Sequence, residues 1–176
     1  MNVIANTTII SNFAAVGRLD ILRDLLGRLY ITTDVYAEIQ DGLIEGYDFY
    51  EGIEFHVHPP AVDGWILLTA LEGDEELHLF SHLPPTLHRG EASCLAIAAR
   101  RGWAFLTDDS RARKSARELK VLISGTLGIL VRAFAEKLLS LDEADILLHQ
   151  MVKAGYHSPF STVAELIEDH GTPVTA

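Results

Sequence analysis

Short apolar runs recur along the chain, and each passes straight into a helix-forming stretch. That alternation constrains the fold more than any other feature. Asn2-Val3-Ile4-Ala5 is partly β-branched and ends in Asn6-Thr7-Thr8, which predicts a buried strand and a helix capped by Thr7 or Thr8. Ile9, Phe13 and Val16 then fall at helical spacing until Gly17. Leu19, Leu22, Leu25 and Leu26 give a second amphipathic helix that stops at Gly27. Leu29-Tyr30-Ile31-Thr32 reads as a strand, and Thr33 or Asp34 opens a helix carrying Val35, Ile39 and Leu43. Residues 46–60 suit neither periodicity, and Pro59-Pro60 closes them as a loop. Farther on, Trp65 to Leu68, Trp103 to Leu106 and Val121 to Ile123 read as strands. Helices are expected around 77–80, over 91–101 and after Asp108-Asp109-Ser110, then over 127–137, 142–154 and 161–168. Apolar strands alternating with helices demand a mostly parallel sheet covered on both faces, a three-layer α/β/α sandwich. At 176 residues the chain reads as a single domain, with 138–176 as a C-terminal helical extension.

In such a sheet, ligands bind outside the carboxyl ends of the strands, near a reversal in strand order. Oxygen-bearing side chains recur at that end. Asn6 follows the first strand, the helix bearing Glu38 follows the second, the helix bearing Glu91 precedes the fourth, and Asp108 and Asp109 follow the fourth. One of the two aspartates is expected as a helix cap, but a cap needs only one. Glu91 shares its helix face with Cys94, Leu95 and Ala98, so its carboxylate lies along the buried stripe, where it needs a cation or a proton. Glu38 flanks an apolar stripe and is uninformative alone. His78 with His82 and His56 with His58 have spacings zinc can use, but neither pair has a third ligand in place. Gly125-Thr126-Leu127-Gly128 lacks the Lys-Ser or Lys-Thr of a phosphate loop and reads as a tight turn with Thr126 capping. A receiver domain would need a Lys after the last strand, where Ser124-Gly125 stand. Dehalogenase chemistry would need Asp-x-Asp where Asn6-Thr7-Thr8 stand.

Composition narrows the class. The single Cys94 forbids an internal disulfide and fits a reducing, cytoplasmic setting. No basic segment precedes an apolar one at the N-terminus, and no apolar run reaches the roughly 20 residues of a bilayer span, so neither secretion nor a membrane is expected. A net charge of −11 repels nucleic acid at long range, but the charge is unevenly placed. Eleven acids fall between Glu38 and Glu76, whereas seven of the fourteen bases lie between Arg100 and Lys120. Arg111, Arg113, Lys114, Arg117 and Lys120 share one helix that begins beside the two aspartates, where a phosphate would be neutralised.

Together these segments resemble the PIN-domain family, the metal-dependent ribonuclease fold of many toxins in toxin–antitoxin pairs. The resemblance rests on Val3 to Ile10, on Thr33-Asp34-Val35-Tyr36-Ala37-Glu38-Ile39, on Gly90-Glu91-Ala92-Ser93, on Leu106-Thr107-Asp108-Asp109, and on Ala112-Arg113 with Gly125-Thr126-Leu127-Gly128. The last two resemble a branch of the family assigned to nucleic-acid binding. The resemblance implies Asn6, Glu38, Glu91 and Asp109 as ligands of Mg²⁺ or Mn²⁺, with Asp108 in support, as the catalytic set. It implies Thr7, Thr8, Thr107 and Arg113 on the substrate side. RNA is the implied substrate, a small antitoxin and a second copy of the chain the implied partners. The family's first acid is Asp, whereas this chain has Asn6, which offers an oxygen but no charge. A noncatalytic binding or regulatory protein on the same fold is therefore the alternative.

Overall fold

In the computed structural model, which describes residues 1–170, the strands form one sheet. The chain runs β1 (Val3–Ala5), α1 (Thr7–Ala15), α2 (Leu19–Leu26), β2 (Leu29–Thr32), α3 (Thr33–Ile44), β3 (Val57–His58) and β4 (Ile66–Thr69). It continues through α4 (Gly73–His82), α5 (Arg89–Arg101), β5 (Ala104–Leu106), α6 (Ser110–Glu118), β6 (Ile123–Ser124), α7 (Thr126–Ala135), α8 (Leu141–Lys153) and α9 (Val163–His170). The order across the sheet is β3-β4-β2-β1-β5-β6 and every pairing is parallel. The chain thus begins in the middle and builds one wing. It then crosses back to build the other, so the order reverses between β1 and β5. Val3, Ile4 and Ala5 there face Ala104, Phe105 and Leu106 in register.

Helices cover both faces, as parallel strands require. α5 packs against β1, β2 and β5 and against α3, α4 and α6; α1, α2, α7, α8 and α9 pack against one another on the opposite side. Ile4, Ile31, Ile66 and Phe105 are fully buried between these layers. Gly17, Gly27 and Gly102 end α1, α2 and α5 in the left-handed region, with φ of 66°, 67° and 66°. Residues 138–170 pack as α8 and α9 on the α1 and α7 layer; positions 171–176 of the expected extension lie outside the described residues. Among the described residues no helix is long and apolar enough to cross a membrane.

Two local expectations need correction. Residues 46–60 are not a plain loop: they form 3-10 turns at Asp48–Tyr50 and Ile53–Phe55 and then the edge strand β3. Tyr50, Ile53 and Val57 are buried there, so tertiary contact supplies the order that local periodicity lacks. The expected caps also shift. Thr32, the last residue of β2, caps α3 by accepting from Val35 N at 3.1 Å. Asn6 takes the cap position of α1 without a capping hydrogen bond, and Thr126 lies inside α7 behind Gly125. Asn6 and Thr126 instead form contacts across the chain, described next.

Candidate active site

The order reverses between β1 and β5, so their carboxyl ends lie side by side at the switch point of the sheet, where ligands of parallel α/β folds bind. Asn6 leaves β1 at this point and is 1% exposed. Its Nδ2 donates to Thr107 Oγ1 at 2.9 Å, and its backbone N–H to Leu106 O at 3.2 Å. Thr107 is fully buried and also accepts from Asp109 N at 3.2 Å. Thr107 therefore acts through Asn6 and Asp109, tying the ends of β1 and β5 together, and cannot itself meet a ligand. The Asn6 Oδ1 is buried with no hydrogen-bond partner, a costly condition for a polar atom.

Glu38 reaches the same rim from α3. Its Oε2 accepts from the Thr7 hydroxyl in a short contact, and its Oε1 accepts from Gly90 N at 3.0 Å. Thr7 thus orients a carboxylate. Gly90 is needed for the same reason: a Cβ there would come within 2.7 Å of Glu38 Oε1. The sequence marked Gly90 only through the Gly90-Glu91-Ala92-Ser93 resemblance, and gave no sign that it meets Glu38. A second layer supports Thr7, since Ser11 donates to Thr7 O at 2.8 Å and makes a short contact with the Tyr50 hydroxyl.

Glu91 sits in the first turn of α5, 7% exposed, with Oε2 accepting from His88 N at 3.0 Å. Burial raises its carboxyl pKa above the ordinary value; the His88 N–H opposes this, and the nearby charges of Asp109 and Glu38 raise it further. The charges of Asp109 and Glu38 are thus felt at Glu91. Asp109 is the N-cap of α6, with Oδ1 accepting from Arg111 N and Ala112 N, both at 2.8 Å. Each of these carboxylates already holds a protein donor, and among the described residues no three acidic, histidine or cysteine side chains group closely enough to hold a metal ion.

Asp108 faces the other way. Its Oδ1 accepts from Thr126 N at 3.0 Å, and its Oδ2 from the Thr126 hydroxyl at 2.6 Å and Asn12 Nδ2 at 3.1 Å. Burial raises its pKa against these bonds and the Arg113 charge. Asp108 thus locks β5 to α1 and α7 and stands apart from the Glu38, Glu91 and Asp109 cluster. Asn12 and Thr126 complete this knot at 2.9 Å; the sequence marked Thr126 only as a cap and as part of the resemblance, and did not mark Asn12. Arg113 reaches back from α6 to donate Nη1 to Thr107 O at 2.9 Å. Thr8 lines a shallow depression with Asn12, Asp109 and Tyr156. The His78 and His82 rings stack at 4.2 Å on the surface of α4, away from this rim.

A parallel α/β sheet with polar and acidic side chains at its reversal point belongs to a broad class of ligand-binding folds, and comparison narrows it. The chain belongs to the PIN domain family, whose profile matches residues 2–172. A solved structure, a PilT N-terminus domain protein from the hyperthermophilic archaeon Sulfolobus solfataricus P2, is 15% identical with a TM-score of 0.45, over 90% of this chain and 99% of that one. No curated protein matches. The family is nuclease-like, and its members typically use divalent metals.

Proposed function

We propose that this protein is a metal-dependent endoribonuclease that hydrolyses RNA phosphodiesters at the rim formed by Asn6, Glu38, Glu91 and Asp109. The observation that carries the reading is the pairing of an orphaned buried oxygen, Asn6 Oδ1, with a buried carboxylate, Glu91, on which the like charges of Asp109 and Glu38 act and which has no ion pair beyond the influence of His88 among the described residues. An amide oxygen and carboxylates make an all-oxygen donor set, which suits Mg²⁺ or Mn²⁺. Asn6, Glu91 and Asp109 would hold the ion, with Glu38 fixed beside them by Thr7 and Gly90. When bound, a divalent ion supplies an activated water and stabilises charge on the attacking and leaving oxygens.

The remaining work falls to the chain. Thr107 fixes the distance between Asn6 and Asp109, so the oxygens at the ends of β1 and β5 hold one arrangement. Glu91, once deprotonated, keeps the site negative until a cation enters. The basic face of α6 draws the RNA backbone toward an otherwise acidic protein. If the protein is a toxin, the partner to expect is a small antitoxin covering this groove.

Asn6 favours a second reading, a noncatalytic protein whose rim binds RNA or a partner. Incubating single-stranded RNA with Mn²⁺ or with EDTA decides between them. The ribonuclease reading predicts cleavage with Mn²⁺ alone, faster in Asn6→Asp, which restores a charge. Cleavage by neither protein contradicts it; cleavage by Asn6→Asp only supports the noncatalytic reading of the native chain.

A further inference from the structure

Beyond the acidic rim, the loop after α8 creates a feature the hydrolytic reading does not use. Tyr156 and His157 lie over the Asp108 knot, with depressions on either side. One, of about 230 Å³, includes Asp109 and Thr8 at the rim. The other, of about 320 Å³, is walled by Arg113, Ile123, Leu127 and Tyr156 above the first turn of α7. Both are lined by Asp108, Tyr156 and His157, so the two depressions adjoin along these residues, and Asp109 of the rim lines the first of them. Gly125 lets Asp108 and Arg113 close up against the backbone at this wall: a Cβ there would collide with Asp108 Oδ1 and reach 3.2 Å from Arg113 Nη1.

Two groups in this cavity have unused capacity. Arg113 is half-buried, gives one donor to Thr107 O, and forms no ion pair among the described residues. Tyr156 is half-buried, and its hydroxyl has no hydrogen-bond partner among them. A cation with free planar donors beside an aromatic ring suits a nucleotide, with phosphate on the guanidinium and base on the ring. The position of Asp108 decides which part goes where. Its carboxylate disfavours a phosphate deep in the cavity, while Thr126 and Asn12 already occupy its oxygens. Arg113, whose charge acts on Asp108 in the same cavity, is where a phosphate is met, and the uncharged base takes the remaining space beside Tyr156.

We propose that this cavity is a nucleotide subsite that takes one unpaired base of single-stranded RNA next to the scissile phosphate, with Tyr156 as its stacking face and Arg113 on the adjoining phosphate. The proposal rests on the ribonuclease reading for the location of the scissile bond, but it is tested by binding alone. A base held in a duplex cannot reach such a cavity, so the subsite selects single strands.

The test is fluorescence anisotropy with three probes and no divalent ion, in the Glu91→Gln background so that nothing is cleaved. The probes are a short single-stranded oligoribonucleotide, an abasic ribose-phosphate strand of equal length, and an RNA duplex. The single strand should bind about tenfold tighter than the abasic strand. Tyr156→Ala should remove that advantage, Tyr156→Phe should keep it, and Arg113→Ala should weaken both strands together. Equal affinity for the normal and abasic strands, or an unchanged preference in Tyr156→Ala, overturns the proposal. Since Tyr156→Ala could disturb the loop, the comparison of probes on the parent protein stands by itself. A Tyr156-dependent preference without Mn²⁺-dependent cleavage would leave the subsite standing and remove the nuclease; cleavage with no such preference would do the reverse.

Discussion

Glu76 and Glu91 are equally hidden, each 7% exposed, yet their carboxyl groups are shifted in opposite directions. Glu76 on α4 meets Arg101 on α5 in a two-pronged contact, Nε to Oε1 at 2.6 Å and Nη2 to Oε2 at 2.9 Å, and also accepts from Glu72 N at 2.8 Å. That pairing outweighs burial and lowers its pKa. Arg101 is completed by Thr69, by Ala70 O and by the Trp103 ring 5.3 Å beneath it. For Glu91 burial dominates: the His88 N–H and the His88 charge oppose it, but two acidic neighbours, Asp109 and Glu38, add to it, and no arginine or lysine pairs with it. Burial of a carboxylate therefore does not mark a site; burial without a counter-charge does. The Glu76 pair holds α4 against α5, whereas the Glu91 cluster is electrostatically incomplete in the way that binding a cation would relieve.

Breaking each side of this contrast should give different kinds of loss. Glu91→Gln should lower Mn²⁺-dependent RNA cleavage beyond the roughly 10–100-fold that losing an outer partner of a metal site costs, with the fold intact by circular dichroism. Arg101→Ala should leave cleavage chemistry alone but strand Glu76, costing about 3 kcal/mol and lowering Tm by roughly 6–12 °C. Thr7→Val frees Glu38 from its hydroxyl donor and should reduce cleavage about tenfold while changing stability by only about 1 kcal/mol.

The smallest effect lies in the pH dependence, and it has opposite signs for the two glutamates. Because the folded pKa of Glu91 is raised, the folded state holds its proton longer than the unfolded chain. Stability from this group is complete below the ordinary carboxylate value and is lost as pH rises through the raised one. The depressed Glu76 contributes stability that is present above the ordinary value and lost as pH falls through the lowered one. Thermal melts across pH should therefore show Glu91→Gln gaining on wild type as pH rises above the carboxylate range, and Glu76→Gln converging with wild type in acid.

Every strand but β3, and the C-terminal ends of α1, α2 and α5, were legible because their determinants are local: β-branched runs, 3.6-residue stripes and glycines at C-termini. The acids were legible as a set only through their common position after strands, which the parallel sheet turns into one rim. What stayed hidden was relational. Asp108 and Asp109 are adjacent in sequence, yet the turn after β5 sends one into a buried knot and leaves the other as a cap; no spacing rule separates them. Gly90 matters because a carboxylate from a helix 52 positions earlier in sequence lies against it. The 46–60 segment is ordered by Tyr50, Ile53 and Val57 meeting a core that local pattern does not reveal.

Calorimetric titration of Mn²⁺ into wild type and Glu91→Gln, at a pH where Glu91 is ionised, tests the central claim most directly. The account predicts one binding event in wild type that weakens as pH falls, since protons compete for the same oxygens, and that is absent from Glu91→Gln. Identical isotherms for the two proteins, or no uptake by wild type at any pH, would contradict it.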